Sequence, residues 1–136
     1  MQRSPELETI IAGWFTAVNN GDPSWVDRYV SHQAATRLVD FDPDDVLSGE
    51  AAFAFLREQV LSLGGAIQVT PRHIEAYQAG DVGWGLSLVT ITFPNGEHVL
   101  PRWSGVFHRE GREWKLVQSH ASLGIPSEEL RAMMQQ

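Results

Sequence analysis

Apolar residues recur at helical spacing through the first part of the chain and then give way to long runs with period two. Leu7, Ile10, Ile11, Trp14 and Val18 share one helix face, because positions three and four apart stack along a 3.6-residue turn. Ser4-Pro5 supplies an N-cap followed by proline at the first helical position, and Asn19-Asn20-Gly21 ends the run, so a helix is predicted from Pro5 to Asn20. Asp22-Pro23 repeats the start signal, and Trp25, Val26, Tyr29 and Val30 form the apolar face of a short second helix. A strand is expected over Thr36 to Phe41, then a loop through Asp40, Asp42, Pro43, Asp44 and Asp45. Ser48-Gly49 opens a third helix with Phe53, Leu56, Val60 and Leu63 on one side, stopped by Gly64-Gly65.

From Ala66 the pattern predicts four strands, Ile67 to Gln78, Val82 to Phe93, His98 to His108 and Glu113 to Ser122. They are broken at Ala79-Gly80-Asp81, Pro94-Asn95-Gly96-Glu97 and around Gly111. Four consecutive strands with short breaks make an antiparallel meander. Gly83 and Gly85 interrupt one strand, where the absence of side chains lets the sheet curve or a helix approach closely. Pro126-Ser127 with Glu128 and Glu129 begins a short terminal helix. The whole, residues 1–136, reads as one α+β domain: three N-terminal helices packed on a strongly curved antiparallel sheet that encloses a pocket.

The last two strands carry the candidate chemistry. Strict alternation puts Trp114, Leu116, Gln118, His120 and Ser122 on one face, apolar at its start and hydrogen-bonding at its end. A three-residue loop with Gly111 in the left-handed region would pair even positions with even positions. Arg102 and Ser104 then join Gln118, His120 and Ser122 on the concave face, a cation, two hydroxyls, an amide and an imidazole able to orient or polarise a ligand oxygen. The competing reading is a solvated face whose polar groups satisfy one another.

A chain of 136 residues, 43% hydrophobic and 20% charged, is ordinary globular composition for one domain. With no cysteine there are no disulfides and no thiolate chemistry, which fits a cytoplasmic location. No apolar run reaches the roughly 20 residues of a membrane helix, and MQRSPELE lacks a signal-peptide core. A net charge of −7 with the ten Lys and Arg dispersed argues against a nucleic-acid partner.

The segments AVNNGDPSWVDRYVS, TRLVDFDPDDVLSG and GREWKLVQSHASLGIP, in this order of elements, resemble the SnoaL-like group of the nuclear transport factor 2 superfamily over nearly the whole chain. The ending, through Phe107, His108, Arg109, Trp114, His120 and Ser122, is also similar to the association domain of calmodulin-dependent kinases. The resemblance implies a cone-shaped fold with a pocket and frequent homodimers through the sheet. Chemistry varies too widely on this scaffold to be carried over. Against the ketosteroid isomerases of that superfamily, a gapless match puts Trp14 where a tyrosine donor stands, and indole cannot act as an acid as a phenol can. The base aspartate is matched by Asp40 only with a small gap, since Leu38 is the ungapped match, and the protonated aspartate falls near Trp103 or Ser104. Two of three positions have changed, which speaks against that isomerase mechanism.

Asp40 is a general base if an apolar pocket raises its pKa, or a turn residue among its acidic neighbours. His73 and Glu75 alternate on one strand face, as a proton-transfer pair or as part of a solvated outer face. No histidines have helical metal-ligand spacing, and His98 with His120 would make a site only if the sheet joined them, so no metal or cofactor is expected. Trp14 and Trp84 are assigned to the apolar wall, and Asp40 or His120 to the base. The expected function is binding of a small hydrophobic, oxygenated compound by an isomerase, cyclase or hydrolase, or by a non-catalytic sensing or assembly module. A homodimer is expected through an outer sheet face bearing Val99, Trp103 and Phe107.

Overall fold

A computed structural model describes residues Met1–Gln136. After a two-residue strand β1 (Gln2–Arg3), helix α1 spans Pro5–Asn20, and Ser4 Oγ caps it by accepting from Leu7 N. The short α2 (Ser24–Tyr29) is fastened to it by Trp25, whose Nε1 donates to Ile10 O at 2.8 Å. A hairpin of β2 (Arg37–Val39) and β3 (Val46–Ser48) leads into α3 (Gly49–Leu63). There follow β4 (Gln68–Ala79), β5 (Val82–Thr92), β6 (His98–Val99), β7 (Arg102–Glu110), β8 (Glu113–Ser122) and α4 (Ser127–Met134).

The meander β4-β5-β7-β8 is antiparallel throughout, as its alternation predicts. Two additions extend it. β2 pairs parallel with β8, Leu38 opposite Ser119, and β1 pairs with the far end of β4. The order β1-β4-β5-β7-β8-β2-β3 therefore runs between two free edges and does not close. The third predicted strand is broken at Leu100-Pro101, since Pro101 has no N–H to give a ladder, leaving β6 as a fragment beside β5. Neither β1 nor β3 is long enough to show periodicity.

Helices α1, α2 and α3 lie on the concave side, and α1 lies directly over β4 and β5. Gly83 and Gly85 allow this approach: a Cβ on either would collide with the Leu7 and Ile11 side chains respectively. At its C-terminal end α1 is clasped to β4 by Asn19, whose amide donates to Val69 O at 2.8 Å and accepts from Val69 N at 2.6 Å. The buried core runs along this interface and includes Leu7, Ile11, Val26, Phe107, Trp114 and Leu116.

The β7–β8 connection departs from the expected three-residue loop. Glu110 pairs with Glu113 across a two-residue turn, Gly111 taking φ +68° at the first position, which only glycine adopts freely. That turn pairs odd with even residues. The register shifts between Phe107↔Leu116 and Val106↔Gln118, so Val117 is an extra residue on β8. Beyond this bulge the even–even pairing is restored, with Ser104 opposite His120 and Arg102 opposite Ser122. The bulge also breaks the alternation on which the sequence reading relied. Trp114 and Leu116 point inward before it, and Ser119 and Ala121 point inward after it.

Candidate functional site

At the end of the sheet where β2, β7 and β8 meet, the core opens into a cavity of about 70 Å³. Its wall is apolar and drawn from all layers: Trp14 and Val18 of α1, Leu56 and Leu63 of α3, Val89 of β5 and Trp103 of β7. Three polar side chains enter this wall away from the mouth, namely Asp40, Gln59 and Ser119.

Asp40 stands just past the end of β2. The turn that follows is made by Asp42, whose carboxylate accepts from Asp44 N at 2.8 Å and whose carbonyl accepts from Asp45 N at 2.9 Å. Asp42 thus takes the turn role, and the Asp40 side chain is left to face the cavity. Its Oδ2 accepts from Gln59 Nε2 at 2.7 Å. Burial pushes the Asp40 carboxyl above the ordinary aspartate range; the Gln59 hydrogen bond and the Phe41 backbone pull the other way, and the Asp45 charge adds to the rise. A carboxylate that is partly desolvated and held by neutral donors alone has the makings of a general base.

On the neighbouring strands, β8 beside β2 and β7 beside β8, Trp103 Nε1 donates to Ser119 Oγ at 3.1 Å, and both residues are buried. A hydroxyl has one proton and two lone pairs, so this contact leaves the Ser119 proton available to an oxygen in the cavity.

The predicted site residues divide between the two faces. Trp14 and Asp40 line the cavity, and Arg102 stands at its mouth, its Nη2 donating to Ser122 Oγ at 3.2 Å. Trp84, Ser104, Gln118, His120 and Ser122 do not enter it. Trp84 lies between the two glycines that face α1 and so points to the convex side. Ser104, Gln118 and His120 are exposed neighbours of the inward-facing Trp103 and Ser119, and Ser122 follows the inward-facing Ala121. The cluster of Arg102, Ser104, His120 and Ser122 is real in register, but the bulge at Val117 turns its β8 members outward, and on β7 Arg102 and Ser104 flank the inward-facing Trp103. His120 therefore cannot serve as a base in this cavity. Trp103 and Phe107, expected on the outer face, are buried at 5% and 0% exposure.

A profile described as SnoaL-like domain matches residues 7–126. The chain belongs to the SnoaL-like family. No curated protein matches it in sequence. Among solved structures, an NTF2-like protein of unknown function from Pseudomonas putida superposes on this SnoaL-like domain with TM-score 0.76 at 19% identity, covering 91% of this chain and 88% of that one. A protein with a cystatin-like fold from Caulobacter vibrioides gives 0.72 at 13% identity, covering 96% of each. The association domain of C. elegans CaMKII gives 0.67 at 16%, covering 86% and 92%. These likenesses establish the fold.

Within the SnoaL-like domain, Gln59 and Ser119 are the polar residues that sequence reasoning missed. Gln59 had a signal: it stands three residues after Leu56 and four before Leu63, a polar residue beside the apolar stripe of α3. Ser119 had none, because its inward aspect depends on the bulge. No group of three or more His, Asp or Glu side chains gathers to hold a metal ion. His73 pairs with Glu75 at 2.8 Å on the outer face. No helix is long and apolar enough to cross a membrane.

Proposed function

We propose that this SnoaL-like domain binds the oxygen-bearing end of a small hydrophobic compound and that Asp40 takes a proton from it. The reading rests on one observation, a carboxylate with a raised pKa facing an otherwise apolar cavity. Proton removal from carbon beside a carbonyl moves the C–H electron pair toward the carbonyl oxygen, and Ser119 is positioned to donate to that oxygen as charge builds. Gln59 orients the carboxylate.

Among isomerase, cyclase and hydrolase chemistry the site fits isomerisation best. Asp40 is the only carboxyl lining the cavity, and Arg102, at the mouth, does not give up its proton. A single carrier that removes a proton and returns it elsewhere suffices for isomerisation, whereas hydrolysis commonly uses a separate acid. The cavity volume adds a size limit. An apolar cavity of ~150 Å³ admits benzene, and this one is about 70 Å³, so only the reactive end of a larger compound enters while the rest extends past Phe41 and Arg102.

Solvent deuterium exchange beside the carbonyl of small ketones, followed by NMR, tests the reading. Wild type should accelerate exchange and Asp40→Asn should not. Equal rates in the two proteins, with ketone binding retained, would instead support a non-catalytic sensing module, which the Trp14 replacement of a phenolic donor favours.

Self-association belongs to the same proposal. The convex face of β5 carries Val82, Trp84, Leu86 and Leu88, flanked by Val106, and Val82 and Leu86 are each more than 40% exposed. An apolar strip of this kind suits a face shared by two copies in a homodimer.

A further inference from the structure

We infer that α4 is an exchanged arm, docking across the convex sheet face of a second copy and setting its acidic first turn against Arg102 and His120. This rests on the self-association proposed above and adds the element that makes the contact. Helix α4 buries no residue against its own chain, and its N-cap, Pro126, gives no side-chain hydrogen bond. Eight residues with neither cap nor packing are too few for a stable helix in water, where isolated helices need on the order of 12–15. Yet its pattern is that of a docking helix. Leu130, Met133 and Met134 fall on one side, all exposed, and Glu128 and Glu129 occupy the first turn.

The convex face offers the matching surface. Across β5, β7 and β8 one row reads Leu86, Ser104, His120 and the next reads Leu88, Arg102, Ser122. Three strands span roughly 10 Å, the width of one helix, and an eight-residue helix is about 12 Å long. Apolar side chains therefore lie on one side of this patch and the cation and imidazole on the other. Neither row carries an acid over these strands. The outward polar cluster, of which only Arg102 also borders the cavity mouth, gains a use: it receives Glu128 and Glu129 of the other copy. A second copy is the fitting occupant because Leu86 and the apolar side of α4 are both exposed on the same chain, and α4 buries no residue against its own sheet.

The chain lacks cysteine, so single thiols can be introduced cleanly for cross-linking. Full-length Leu130→Cys and isotopically heavy Leu86→Cys proteins, mixed and treated with a short bismaleimide, should give a light–heavy cross-linked pair. Glu128→Lys with Glu129→Lys should weaken the dimer roughly tenfold or more, since like charges then face each other; adding Arg102→Glu should recover part of the loss. A dimer by light scattering that yields no light–heavy product, or is indifferent to the charge reversal, overturns the exchanged arm and leaves self-association standing. A monomer at micromolar concentration overturns both. Linkage confined to single chains of the Leu86→Cys/Leu130→Cys protein shows that α4 closes on its own sheet, and also overturns the exchange.

Discussion

Burial opposes ionisation of the Asp40 carboxyl, and that makes its behaviour with pH a direct test. Its folded-state pKa lies above its unfolded value because burial penalises the ionised form. The native state therefore holds the Asp40 proton more tightly than the unfolded chain does. The stability this contributes is complete below the unfolded pKa, about 4, and is lost as pH rises through the folded pKa. Asp40→Asn should raise the melting temperature relative to wild type at pH 7, and the gap should close as pH falls toward the ordinary carboxylate range. A constant gap across that range would show that Asp40 ionises normally. The same variant should abolish proton exchange, and the wild-type rate should rise with pH along a limb displaced above the usual aspartate range. Ser119→Ala should weaken ketone binding by about 0.5–1.5 kcal/mol, measurable by calorimetry. It should also lower stability by about 1–3 kcal/mol, because Trp103 Nε1 then loses its only partner in a buried site.

A single extra residue, Val117, decides which face of β8 reaches the cavity. Deleting Val117 removes the bulge but keeps Leu116 and Ser119 inward, so that variant should fold and retain ligand binding with a less twisted sheet. Deleting Ser119 leaves the bulge and turns His120 inward and Ala121 outward, so it should fail to fold; near-UV circular dichroism separates the outcomes. This residue also marks where sequence reasoning stopped. The bounds of α1 and β8, the order of the meander and the close approach at Gly83 and Gly85 follow from local patterns that tertiary structure leaves intact. Asp40 and Trp14 were legible because each sits beside a strong local signal, a strand end and a helix face. Ser104, Gln118, His120, Ser122 and Trp84 were misplaced because facing depends on strict alternation and on which side the helices cover, and a bulge has no composition signature in KLVQS. Gly83→Ala should cost about 1–3 kcal/mol by driving a methyl into Leu7. A denaturant midpoint unchanged from wild type would mean that α1 sits farther from the sheet.

For the molecule as a whole, Leu86→Arg should convert a dimer into a monomer in light scattering without altering the far-ultraviolet spectrum, since the side chain is exposed within one chain. A dimer that survives Leu86→Arg would move the interface elsewhere. The Asn19 clasp has a consequence of another kind. Strand β4 is twelve residues long, but its outer edge is covered by β1 only at Tyr77 and Gln78. Such an edge is a template on which other chains can add strands and grow fibrils. Here Asn19 occupies both backbone groups of Val69, Pro71 offers no N–H, and the register slips between Pro71 and His73. The exposed edge is thus interrupted at three successive places, and a protein with its longest strand at the margin of the sheet is kept from polymerising through it.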